Sequence, residues 1–192
     1  MKRIVLCAAF LAAPVSAQDQ AELAPPSCDY GKPHASAPKE LSQFDFLIGD
    51  FTIAGRVWTE DGWGPVLASS RPRLVGRYTL DGRAIYDEWY DNDPGLDPET
   101  TRGLTVRMYD EEAEEWKVAW MSTKRTQITD LRVKLQDGVL TMRTEHPAKP
   151  NYDAYFERTG PDSWTRTAFR TEPDGSRRLL WQAMATRIPC AD

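Results

Sequence analysis

From Gly49 to Arg187, apolar and polar residues alternate in short runs divided by turn dipeptides. Alternation with a period of two, over about four to eight residues, marks a half-buried strand. Gly49–Thr59 sets Phe51, Ile53 and Val57 on one face, and Asp61-Gly62 marks a turn. Residues 66–80 form the next strand, with Pro72 at an edge or bend because proline brings no N–H to a ladder. Asp81-Gly82 reads as a two-residue hairpin turn, and Ala84–Tyr90 returns. Residues 91–101, with Pro94, Gly95 and Pro98, form a long loop.

Further strands are predicted at 103–109, 116–122, 128–135, 139–145, 152–159, 163–171 and 178–187. The first of these sets Leu104, Val106 and Met108 against Thr105, Arg107 and Tyr109; the second sets Trp116, Val118 and Trp120 on one face. Asp137-Gly138 and Gly160-Pro161-Asp162 are tight turns. About ten strands joined mostly by short turns predict an all-β barrel or sandwich, and sequential hairpins favour an antiparallel up-and-down barrel. Residues 39–47 fit a short helical cap, with Leu41, Phe44 and Leu47 on one face. Both faces of several strands carry apolar residues, so the sequence leaves open which face points inward.

The N-terminus has a different character. Lys2 and Arg3 precede an apolar stretch over residues 4–15, and Val15-Ser16-Ala17 offers small residues for cleavage. Residues 1–17 therefore read as a signal peptide, and the stretch is too short for a membrane anchor. Cys7 lies inside the apolar stretch, not after it, so no lipid anchor is expected. Residues 18–38, rich in Ala, Pro, Ser and Gln, form an extended tail, and residues 39–192 a single β-barrel domain. The expected location is periplasmic or extracellular. Loss of Lys2 and Arg3 takes the formal charge from −5 to −7. An acidic surface argues against nucleic acid as a partner. Cys28 and Cys190 remain, and an even pair in an oxidising compartment predicts a disulfide between the two tails; two unpaired thiols are the alternative.

Several short motifs resemble a known group. Phe46-Leu47-Ile48-Gly49-Asp50-Phe51 is similar to the Gly-x-Trp start of calycin-type barrels, with Phe51 where that group has tryptophan. Leu80-Asp81-Gly82-Arg83-Ala84 resembles the hairpin of the bacterial DUF1579-like proteins. Tyr109-Asp110, with Trp116 and Trp120, resembles their Tyr-Asp…Trp…Trp hairpin. The resemblance implies a lipocalin-like barrel whose first-strand aromatic seals the floor, and it implies little chemistry. The nitrobindin branch of such barrels binds haem through a histidine near the last strands. No histidine stands in Ser163–Arg187, which argues against that route and leaves no cofactor expected.

Residue types for catalysis are sparse. His34 and His146 have no neighbouring ligands at metal spacing, and no metal site is expected. Glu145 and His146 are adjacent and would point to opposite faces of a strand. Asp91, Asp93, Asp97 and Glu99 miss the Ca²⁺-loop pattern because Gly95 stands where a ligand is needed. No nucleophile elbow or phosphate loop is present. What recurs on the strands is Trp89, Trp116, Trp120, Trp164 and Trp181, with Arg132, Arg143, Arg158 and Arg166. Aromatic walls with a few fixed polar groups suit a pocket for a small apolar or amphipathic ligand. Three readings stay open: an exported ligand-binding barrel, a packed barrel acting through its surface or as a homodimer, and an enzyme of unrecognised reaction. The first leads.

Overall fold

The computed structural model describes residues 28–66, 73–90, 102–123, 125–144 and 152–190. The expected signal segment, Pro72, the acidic 91–101 loop, Glu145 and His146 lie outside the described residues. A 3₁₀ helix, Lys39–Leu47, precedes eleven described strands. These are β1 (Gly49–Thr59), β2 (Gly62–Trp63), β3 (Arg73–Thr79), β4 (Ala84–Tyr90), β5 (Arg102–Asp110) and β6 (Glu115–Ser122). Then follow β7 (Arg125–Gln136), β8 (Val139–Thr144), β9 (Tyr152–Gly160), β10 (Ser163–Thr171) and β11 (Arg177–Arg187).

Every long strand pairs antiparallel with its neighbours, and β11 returns to β1, from Phe51↔Arg187 to Val57↔Trp181. β2 is a two-residue flap on the end of β1, so ten strands close the barrel. Among the described residues, closure leaves no long unpaired edge. The expected all-β up-and-down barrel is what forms.

The turns at the helix end follow local chemistry. Gln136 pairs with Val139, and Asp137 (φ 51°) and Gly138 (φ 80°) both adopt the left-handed backbone that suits a two-residue hairpin. Asp81-Gly82 departs from the two-residue expectation. Thr79 pairs with Ala84, so residues 80–83 form a four-residue turn in which the Gly82 and Arg83 amides both donate to the Thr79 carbonyl. The wider turn receives the tail: the His34 amide donates to the Gly82 carbonyl at 3.0 Å.

The tail is strapped along the outside. The Tyr78 amide donates to the Tyr30 carbonyl at 2.8 Å, and Cys28 is bonded to Cys190 across a sequence separation of 162. Beside it, Asp50 and Arg73 form a buried two-point ion pair on the outer face of β1 and β3. Tyr30 lies close enough for Asp50 to act on its hydroxyl, whose pKa is raised by burial first and by that carboxylate second.

The helix lies across one barrel end, with Leu41, Phe44, Phe46 and Leu47 buried. Its closeness depends on Gly76 of β3, where an added Cβ would overlap the Leu47 carbonyl oxygen. Backbone cannot swing aside as a flexible side chain can. Gly76→Ala is therefore expected to destabilise the fold by about 1–3 kcal/mol, the usual cost of overpacking. A urea titration followed by tryptophan emission would measure it; an unchanged midpoint would show that the cap floats.

Candidate functional site

Cross-strand partners share a face, so the strand register sorts the described strand residues to the inside or the outside. At the helix end the interior is filled. Phe51, Trp116 and Trp164 from the strands meet Phe44, Leu41 and Leu47 of the helix, and all are nearly inaccessible. Phe44 packs edge-on against Trp116 (4.9 Å) and Phe156 (5.5 Å), and Phe51 against Trp164 (5.9 Å). The Trp116 indole donates to Gln43 Oε1 at 3.0 Å, which ties the helix to β6. Arg187 lays its guanidinium 4.7 Å from the Phe51 ring and donates to the Ile48 carbonyl at 2.7 Å. Phe51 thus seals the floor, as its motif implied.

Above the floor lies a charged layer. Asp87 (β4), Thr105 and Arg107 (β5) all face inward and are buried. Arg107 donates to Asp87 Oδ2, and Thr105 Oγ1 donates to Asp87 Oδ1 at 3.1 Å. The Arg107 guanidinium stands 5.3 Å from the Phe44 ring. Arg166 on β10 also faces inward, 5.8 Å from Phe156 and 5.1 Å from Trp181. In a ten-strand circuit β5 and β10 stand opposite each other, so the two arginines approach from facing walls. Burial, and after it the cation of Arg166, draw the Arg107 guanidinium down to about 9, still charged at neutral pH.

The level beyond is more open. Trp89 (β4), Trp120 (β6) and Trp181 (β11) face inward, pack against the core and remain partly exposed. Trp120 lies against Gly103, where any Cβ would collide with its ring. On β9–β11, across from β4–β6, Ala154, Ala168, Ala183 and Ala185 face inward beside Phe156, Arg166 and Trp181, and all four alanines are buried.

The predicted site residues therefore separate. Trp116 and Trp164 belong to the packed floor. Trp89, Trp120, Trp181 and Arg166 all face inward, and Arg166 stands 5.1 Å from the Trp181 ring. Arg158 sits at the floor rim, 3.6 Å from Asp45, with its side chain half exposed. Arg132 faces outward and pairs with Glu115 at 3.4 Å, and Arg143 is exposed on the same outer face. Neither lines the interior.

Sequence reasoning missed Asp87, Thr105 and Arg107. On β5 the apolar set Leu104, Val106 and Met108 turns outward, and the polar set turns in. The neighbours impose this parity: Ile85 on β4 and Trp116, Val118 and Trp120 on β6 must be buried, and their partners on β5 share their face. An acid on β4 and a base on β5, at matching distances from the turn ends, were the available signal. On the outside of the same strands Tyr90 donates to Glu88, and Arg102 stands 5.2 Å from the Tyr90 ring. Burial acts to raise the Glu88 carboxyl, but hydrogen bonds from Tyr86 and Tyr90 and the cations of Arg77 and Arg102 bring it down overall.

Among the described residues no His, Cys, Asp and Glu cluster has metal-binding geometry, and no helix is long and apolar enough to cross a membrane. No protein-family description matches the chain, and no curated protein sequence matches it. Among solved structures it is similar to the S-type phycobiliprotein lyase CPES from Guillardia theta, with a TM-score of 0.52. The match is 13% identical and covers 79% of this chain and 93% of the other. At that identity the likeness establishes a shared lipocalin-like barrel fold.

Proposed function

We propose that this protein is an exported, lipocalin-like barrel that holds a small, mostly apolar ligand between its arginine layer and its tryptophan rim. The observation that carries this reading is the contrast between the barrel's two levels. One end is packed solid by Phe44, Phe51, Trp116 and Trp164, whereas Trp89, Trp120 and Trp181 face inward nearer the other end and stay partly exposed. Inward aromatic side chains left partly exposed at one end of a barrel suit the mouth of a small-ligand site. The solved lyase supports the reading only through its fold. Export is supported by the cationic and apolar start of the chain and by the Cys28–Cys190 disulfide, which fits an oxidising compartment.

The mechanism is sequestration. Covering about 300 Å² of apolar ligand surface at ~25 cal/mol per Å² yields roughly 7 kcal/mol. From this the cost of association must be subtracted, about 4 kcal/mol or more, so shape and a polar anchor decide affinity. Protein purified from its own host should carry a reproducible added mass in native mass spectrometry, lost on denaturation. The emptied protein should bind a neutral naphthylamine dye, with quenching of tryptophan emission. A host-purified sample without added mass, together with no dye binding, would overturn the reading.

A further inference from the structure

We infer that the outer face of β3–β7 is the interface of a symmetric dimer: a second copy of this chain lies on Leu104, Val106 and Met108, and Arg77 of each copy meets Asp130 of the other. This concerns the outside of the barrel and does not depend on what its interior holds.

The first support is composition. On β8–β11 one outer cross-strand row reads Thr141, Tyr155, Thr167 and Gln182, which is polar throughout. On β5 and β6 the outward residues are Leu104, Val106 and Met108, beside Met121 and Ala119. Ile128 of β7, next to the inward Thr129, turns out as well. The fold does not cover this stripe: Met108 is 48% and Ile128 59% exposed. A run of apolar side chains on an outer wall marks a contact with another macromolecule.

The second support selects the partner. One outer row runs from Arg77 (β3) through Tyr86 (β4), Val106 (β5) and Ala119 (β6) to Asp130 (β7). It is basic at one end, acidic at the other and apolar at its middle. A two-fold axis lying along β5 in the plane of contact sets β3 of one copy on β7 of the other. Arg77 then faces Asp130 twice over, and Leu104, Val106 and Met108 meet their own counterparts. An isologous contact requires such a self-complementary patch. The axis also preserves strand direction, as aligned packing of two sheets at about 30° demands. Asp130 is exposed and Arg77 half-buried, and neither enters an ion pair or hydrogen bond among the described residues. The carboxylate beside Arg77, Glu88, is already bonded to Tyr86 and Tyr90. The charged ends of β5 fall at the rim, where Arg102 lies over Tyr90 and Asp110 is bonded to Lys117.

Four strand spacings of ~4.8 Å make the patch about 19 Å wide, at the low end of specific interfaces, so the dimer is a reversible one. Sedimentation velocity of the disulfide-bonded full chain, from roughly 1 to 300 µM, should show a rise from monomer to dimer. Met108→Glu should leave it monomeric throughout. Asp130→Arg should weaken association about a hundredfold, because it sets two like-charge pairs at about tenfold each. Adding Arg77→Asp to Asp130→Arg should restore the dimer, because the pair is reversed. Asp130→Asn alters only an exposed side chain; it should weaken the dimer and remove its sensitivity to salt, whatever the double variant does. Urea midpoints would show that each variant is folded. A monomer at every concentration would overturn the inference, and so would a dimer that survives Met108→Glu. A folded double variant that stays monomeric, or a dimer as salt-sensitive in Asp130→Asn as before, would overturn the assigned geometry.

Discussion

Replacing Asp87 with alanine is expected to destabilise the barrel by about 3–5 kcal/mol, the cost of stranding one member of a buried ion pair. Asp87 is 3% and Arg107 6% exposed, so water cannot take over the lost contact. The residue left behind is an arginine, which does not shed its proton readily to escape burial. Thr105 would lose its acceptor as well. Urea unfolding at neutral pH, read by tryptophan emission, would measure the loss. Asp87→Leu combined with Arg107→Met should recover most of it, because an apolar pair of similar volume removes both desolvation penalties together. A loss below about 1 kcal/mol for the single variant would mean that solvent reaches Arg107, and the charged layer would not be the closed feature described above.

The second large effect is expected at the tails. Cys190→Ser should lower stability by about 2–5 kcal/mol, and a reductant should do the same to the unaltered protein. The disulfide joins residues 162 apart and therefore restrains nearly the whole unfolded chain. In the folded state it holds the strap whose Tyr30 carbonyl accepts from Tyr78. It also holds the last residues against β1, where the Ile188 amide donates to the Asp50 carbonyl at 2.7 Å. The control is internal: reductant should shift the unfolding midpoint of the unaltered protein and leave that of Cys190→Ser in place. A reductant-insensitive midpoint would show that the tails contribute nothing beyond their docking.

Much of the scaffold is legible in the sequence, for local reasons. Asp137-Gly138 demands a left-handed backbone at both positions and makes a tight hairpin wherever it falls between strands. Leu41, Phe44 and Leu47 on one helical face predicted the cap at the bounds it adopts, Lys39–Leu47. Cys28 and Cys190 were paired by compartment and number, and they are joined. The candidate site was legible only in part. Trp89, Trp120, Trp181 and Arg166 were among the residues singled out, but so were Arg132 and Arg143, which face outward. The Asp87–Arg107 pair was not singled out at all.

By itself, then, the sequence determined the strand-and-turn rhythm, the cap and the tie between the tails. Each of these depends on the chemistry of a few neighbouring residues or on an even count of cysteines. Only the tertiary structure decided what the barrel encloses. A strand's side chains alternate with a period of two, so either face is available until its neighbours choose one. On β5 the flanking strands chose against local hydrophobicity, turning Leu104, Val106 and Met108 out and Thr105 and Arg107 in. Closure of β11 onto β1 then set β10 opposite β5, which brought Arg166 across the barrel from Arg107, 59 residues earlier in the chain. The charged interior is thus a property of closure, because no single strand carries both of its facing walls.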